Sequence, residues 1–103
     1  MFIVLCNCPP DTAPKLAKAL VAGRYAACVN IIAGVQSIYE WEGEICADTE
    51  STLIIKTSAL RIDALREQIV ELHPYSVPEI IATRVDTDVS HRPYVEWVEK
   101  MTR

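Results

Sequence analysis

His73-Pro74-Tyr75-Ser76-Val77-Pro78-Glu79 gathers an imidazole, a phenol and a carboxylate within seven residues, between two prolines that stiffen the backbone. Each proline fixes its own φ, removes an N–H and disfavours helix in the residue before it. His73 is therefore expected to be the last residue of a helix, and Val77 to be extended already. The result is a rigid corner that presents His73, Tyr75 and Glu79 in fixed positions. Four thiols, Cys6, Cys8, Cys28 and Cys46, are the other reactive groups. Cys6 and Cys8 share one face of a strand, because residues i and i+2 point the same way. The absence of a secretion-type leader before Phe2-Ile3-Val4-Leu5 and an apolar core that needs no staples favour reduced thiols in a cytoplasmic protein.

The elements that must position these groups read clearly. Phe2–Cys8 is an apolar strand, broken by Pro9-Pro10. Asp11 is expected to cap a helix over about 12–22, with Ala13, Leu16, Ala17, Leu20 and Val21 as its stripe and Gly23 as its stop. A long extended stretch over 26–42 carries a bend or bulge at Ala33-Gly34. Beyond it Val35, Ser37, Tyr39 and Trp41 fall on one face. Glu42-Gly43-Glu44 turns the chain into a return strand over 45–57. Ser58 is expected to cap a helix carrying Ile62, Leu65, Ile69 and Leu72. A fourth strand follows over 78–85. Ser90 is expected to cap a last helix with Tyr94, Trp97, Val98 and Met101 on one side.

The order βαββαβ plus a helix predicts an α+β domain spanning residues 1–103: a ferredoxin-like antiparallel sheet with two helices on one face. Strands covered on one side should alternate. Ile31-Ile32, Leu53-Ile54-Ile55 and Ile80-Ile81 instead offer apolar groups to both faces, so the second face calls for self-association.

The net charge of −4 argues against nucleic acid or an anionic membrane as the main partner. No apolar run approaches the roughly 20 residues of a membrane span. No Gly-rich phosphate loop, HExxH or GxSxG is present, and nothing in the sequence sets Cys6 or Cys28 beside His73 with an orienting third group. The chain therefore reads as a non-enzyme.

Cys6-Asn7-Cys8-Pro9, Ala26-Ala27-Cys28-Val29-Asn30, Ser37-Ile38-Tyr39, Trp41-Glu42-Gly43, His73-Pro74-Tyr75 and Pro78-Glu79-Ile80-Ile81-Ala82 resemble the CutA family of divalent-cation-tolerance proteins, in the family's order and over nearly the whole chain. The resemblance implies a tight homotrimer, similar in build to the PII nitrogen-regulatory proteins, and binding of copper, zinc or another divalent cation. The ligands it implies are Cys6, Cys28 and His73. The chain departs from the family's pattern at Asn7, at Pro10 and at Cys46, none of which is an implied ligand.

Each implied ligand also has an ordinary structural reading. Cys6 and Cys28 suit Cu(I) or zinc as thiolates, yet serve equally as small buried hydrophobes. His73 is a ligand or a helix-end cap; His91 is a surface residue. Tyr39, Trp41, Lys56, Tyr75 and Glu79 either line a cleft between subunits that takes a small anionic or metal-chelated ligand, or form the subunit contact itself. A cleft ligand makes the chain a PII-like signalling trimer. The acidic hairpin, Glu40 to Glu50, is a solvated loop or a weak attractor of cations.

Overall fold

Val4, Cys6 and Cys8 are fully buried while the residues between them are half-buried, and this alternation sets the architecture. The computed structural model describes residues Met1–Arg103. The elements are β1 (Phe2–Cys8), α1 (Thr12–Ala22), β2 (Cys28–Trp41), β3 (Glu44–Thr57), α2 (Ile62–Leu72), β4 (Ile81–Arg84) and α3 (Arg92–Met101). The sheet order is β2-β3-β1-β4, and every neighbouring pair is antiparallel. The α+β reading is thus the observed fold.

Register assigns the faces. Val4 lies opposite Ile55 and Cys6 opposite Leu53, all four fully buried with Leu16 and Leu20 of α1 and Leu65 and Ile69 of α2. Burying one such aliphatic side chain is worth roughly 1.5–3 kcal/mol, so this single layer supplies the main hydrophobic stabilisation. The alternate positions Ile3, Leu5, Ile54, Ile32 and Ile81 form the second face. Ile32 and Ile81 there are exposed.

β1 pairs with β3 only over Ser51–Thr57. The rest of the β2–β3 hairpin, Val35–Trp41 against Glu44–Glu50, projects as a two-stranded ribbon, and the long axis reaches 45 Å. The register shifts between Ile32 and Val35, with Gly34 at φ +72°, which is the expected bulge. Glu42 and Gly43 turn the ribbon with φ of +50° and +80°, the signature of a type I′ hairpin.

Three expected caps are made differently. Asp11 makes no side-chain cap; the Pro9 carbonyl accepts from Thr12 and Ala13 N–H instead. α2 begins at Ile62, four residues beyond Ser58, whose hydroxyl accepts from Thr102 at the far end of the chain. Ser90 donates to the Asp86 carbonyl, and α3 begins at Arg92 with Pro93 in its first turn. A side chain that can cap locally is free to serve a tertiary partner once another carbonyl or a proline has set the turn. Val95 and Val98 bury α3, and Thr102 ties its end to Val98 and Ser58. β4 is shorter than expected because pairing with β1 begins only at Ile81 opposite Leu5.

Candidate functional site

α2 ends at Leu72, one residue earlier than expected, because Pro74 forces His73 to ψ 137°. His73 is 7 % exposed, and its ring closes on two backbone groups. Nδ1 accepts from the Tyr75 N–H at 3.1 Å, so Nε2 carries the proton and donates to the Asn7 carbonyl at 2.8 Å. The Tyr75 ring packs against the imidazole, with centroids 4.7 Å apart. The corner is thereby fastened to the end of β1.

From that anchor Tyr75 reaches across to the root of the ribbon and donates its hydroxyl to Glu50 at 2.8 Å. Glu50 is only 6 % exposed although it carries a carboxylate. Nearby, Thr52 donates to the Asn7 side-chain oxygen at 2.6 Å, and the Asn7 amide donates to Glu79 at 3.4 Å. Tyr39 donates to Asp48 across the ribbon. This hydrogen bond to Asp48 pushes the Tyr39 phenol up to about 12. Tyr75 is shifted upward as well, first by burial and then by its bond to Glu50. Both phenols therefore remain protonated donors at neutral pH.

A cavity of about 580 Å³ opens between the proline corner, the end of β1 and the ribbon. Tyr39, Trp41, Tyr75 and Glu79, four of the five expected cleft residues, line it together with Asn7 and Glu50. Ser37, Ile38, Ser76 and Val77 complete the wall. Lys56 does not line it; the register sets Lys56 opposite Ile3 and Cys28 on the second sheet face, where it donates to Asn30. The wall has two carboxylates and no basic side chain, which does not suit the anionic ligand considered from the sequence. Asn7 and Glu50 escaped the sequence reading. Asn7 is one polar residue in an apolar strand, and Glu50 hid in an acidic run; only the crossing of three segments brings them together.

Of the three implied metal ligands, Cys6 and His73 meet at one oxygen, the Asn7 carbonyl, which the Cys6 thiol approaches at 3.8 Å and His73 Nε2 at 2.8 Å, whereas Cys28 lies apart from both. Cys6 faces the helix-covered core opposite Leu53, whereas Cys28 lies opposite Lys56, on the other face of the sheet. Burial pushes the Cys6 thiol up to about 12, with smaller contributions from Cys8, Glu79 and Glu50. Burial likewise raises Cys8 to about 11, helped by Glu50 and Asp11. A protonated thiol is a poor ligand. The His73 lone pair on Nδ1 is already occupied by the Tyr75 N–H. Cys28 instead neighbours Tyr94 of α3, whose phenol is raised by burial first and by that thiol second. No group of three or more His, Cys, Asp or Glu side chains is arranged to hold a metal ion. Within one chain, then, these donors do not fit a shared copper ion.

No helix is long and apolar enough to cross a membrane. The chain is 43% identical to the divalent-cation tolerance protein CutA of Thermus thermophilus, over 97% of this chain and 96% of that one. It is also 43% identical to the chloroplastic protein CutA of Arabidopsis thaliana, over 90% of this chain but only 50% of that longer protein. The solved structure of the PII-like protein CutA from Nostoc sp. PCC 7120 in apo form superposes with a TM-score of 0.96 at 42% identity, covering 100% of this chain and 98% of that one. Residues 2–101 match the family model described as CutA1 divalent ion tolerance protein. With the same fold and a resemblance that runs almost from end to end, this chain belongs to the CutA1 divalent ion tolerance family.

Proposed function

We propose that the chain works as a cytoplasmic homotrimer that binds a small ligand in the cavity between the proline corner and the ribbon, and that it serves divalent-cation tolerance as a PII-like sensor, not as a catalyst. The observation that carries this reading is the convergence of Tyr39, Trp41, Tyr75 and Glu79, from two distant segments, on one cavity. Its volume lies within the range of about 300–1,000 Å³ usual for small-molecule sites. The second sheet face and the ribbon supply the argument for assembly. Ile32, Ile38, Ile45 and Ile81 are exposed, and a bare two-stranded ribbon is marginal in water. A neighbouring subunit would cover both. Free cysteines at all four positions suit a reducing compartment.

Copper held by Cys6, Cys28 and His73 is the rival reading. Because Cys6 and Cys28 face opposite sides of the sheet, that site would need donors from different chains and a repacked core. The two readings separate in one experiment. Copper and zinc are titrated into the parent protein and into a Cys6→Ala/His73→Ala variant whose oligomeric state is verified by sedimentation. Uptake unchanged by the substitutions sinks the three-ligand site. A screen of metabolites that perturbs no signal of Trp41 or Tyr75 sinks the cavity reading, and a monomer at micromolar concentration sinks the trimer.

A further inference from the structure

The cavity's walls are chemically one-sided. Three aromatic side chains, Tyr39, Trp41 and Tyr75, line a space that also meets the carboxylates of Glu50 and Glu79, and no Lys, Arg or His of the same chain lines it. Glu50 is a buried residue, yet only one of its two carboxylate oxygens, Oε2, is taken by Tyr75. The other oxygen, Oε1, makes no hydrogen bond within the chain and is not sealed from solvent, so it stays open to whatever occupies the space. A carboxylate oxygen open to the cavity is a ready acceptor for a cation that enters it.

The kind of cation follows from what the wall lacks. A bare divalent ion needs about six oxygen donors close together, or several soft ligands. No three His, Cys, Asp or Glu side chains converge to supply them. A cation of low charge density has the opposite needs. It gains from aromatic faces, each worth roughly 0.5–2 kcal/mol, and from carboxylates at longer range. Tyr39 and Tyr75 keep their phenolic protons because they donate to Asp48 and Glu50, so their rings present neutral π faces. The Tyr75 ring is also backed by His73, which holds it in place.

We propose that the ligand class of this cavity is an organic ammonium, a substituted amine or quaternary ammonium held over Trp41, Tyr39 and Tyr75 and neutralised by Glu50 and Glu79. The inference rests on the cavity reading given above and narrows its ligand to a positively charged organic molecule.

The test uses the intact protein, choline as probe, and 3,3-dimethyl-1-butanol as its uncharged isostere. Binding is followed by calorimetry and by the indole N–H resonance of Trp41, assigned with Trp41→Phe. Choline is expected to bind at least about tenfold more tightly than the isostere, with affinity falling about tenfold in Glu50→Gln and in Trp41→Leu. Glu79→Gln, at an exposed position, gives a second charge deletion should Glu50→Gln disturb the fold. Equal binding of choline and isostere overturns the proposal. A Trp41 response to citrate or to the isostere without one to choline overturns it too, but leaves the cavity reading standing. No response to any of the three overturns both.

Discussion

The His73 ring donates from Nε2 to the main-chain carbonyl of Asn7 at 2.8 Å, joining the end of α2 to the end of β1 across 66 residues of sequence. Its other nitrogen accepts from the Tyr75 N–H. The imidazole is thus the fastening of the proline corner. His73→Ala leaves two main-chain groups without their partner, at a cost of about 1–3 kcal/mol if they stay buried. Chemical denaturation is expected to show that loss without any metal present. Unchanged stability would return His73 to the role of a free ligand.

The buried thiols predict an alkaline weakness. In the unfolded chain a cysteine titrates near 9.0, whereas the folded protein holds Cys6 up to about 12 and Cys8 up to about 11. Raised folded values favour the protonated form, so their contribution is complete below pH 9. It is lost as pH rises from 9 through 11 and 12, because the unfolded state releases protons first. The slope is at most about 1.4 kcal/mol per pH unit for each thiol. Urea midpoints measured from pH 8 to 11 should fall, and should fall less in Cys6→Ala/Cys8→Ala relative to that variant's own value at pH 8.

Thiol labelling should follow the same division. Cys46, half-buried on the ribbon, is expected to react with iodoacetamide ahead of Cys6 and Cys8, and more slowly where a neighbouring subunit covers the ribbon. Cys6 and Cys8, fully buried and protonated, should react only after unfolding. Peptide mass spectrometry reads the order, and early modification of Cys6 would contradict the burial.

Gly43 sits at φ +80° at the tip of the ribbon. A β-branched residue is strained there, so Gly43→Val is expected to destabilise by at least about 1 kcal/mol, while Gly43→Asn, which tolerates that conformation, should cost less. No atom lies within 4 Å of a side chain placed there, so steric crowding within the chain is not the cause. Thermal melts of the two variants separate backbone strain from crowding by equalling or differing in Tm.

Ile32 is exposed on the second sheet face. If a neighbouring subunit covers that face, Ile32→Glu should shift sedimentation from trimer towards monomer while circular dichroism keeps the native spectrum. A trimer unaffected by the charge would move the interface elsewhere.

The sequence by itself determined what depends on neighbours along the chain. Strand and helix periods were legible because side chains repeat every 2 or 3.6 residues. Pro74 stops α2, Gly34 bends β2 and Gly43 turns the hairpin for reasons local to each backbone, and α1 runs over Thr12–Ala22 as its apolar stripe requires. Tyr39, Trp41, Tyr75 and Glu79 were recognisable as a set, but Lys56, grouped with them from the sequence, lies on the second sheet face. What the sequence could not contain is register. Pairing of Leu53 with Cys6, and of Lys56 with Cys28, decides that the two cysteines lie on opposite faces, since a slip of one residue would reverse either side. The partners of Ser58, the burial of Glu50 and the meeting of Asn7 with the proline corner likewise arise between segments far apart in the chain. Only the tertiary structure turns the acidic ribbon and the HPY corner into the two walls of one cavity.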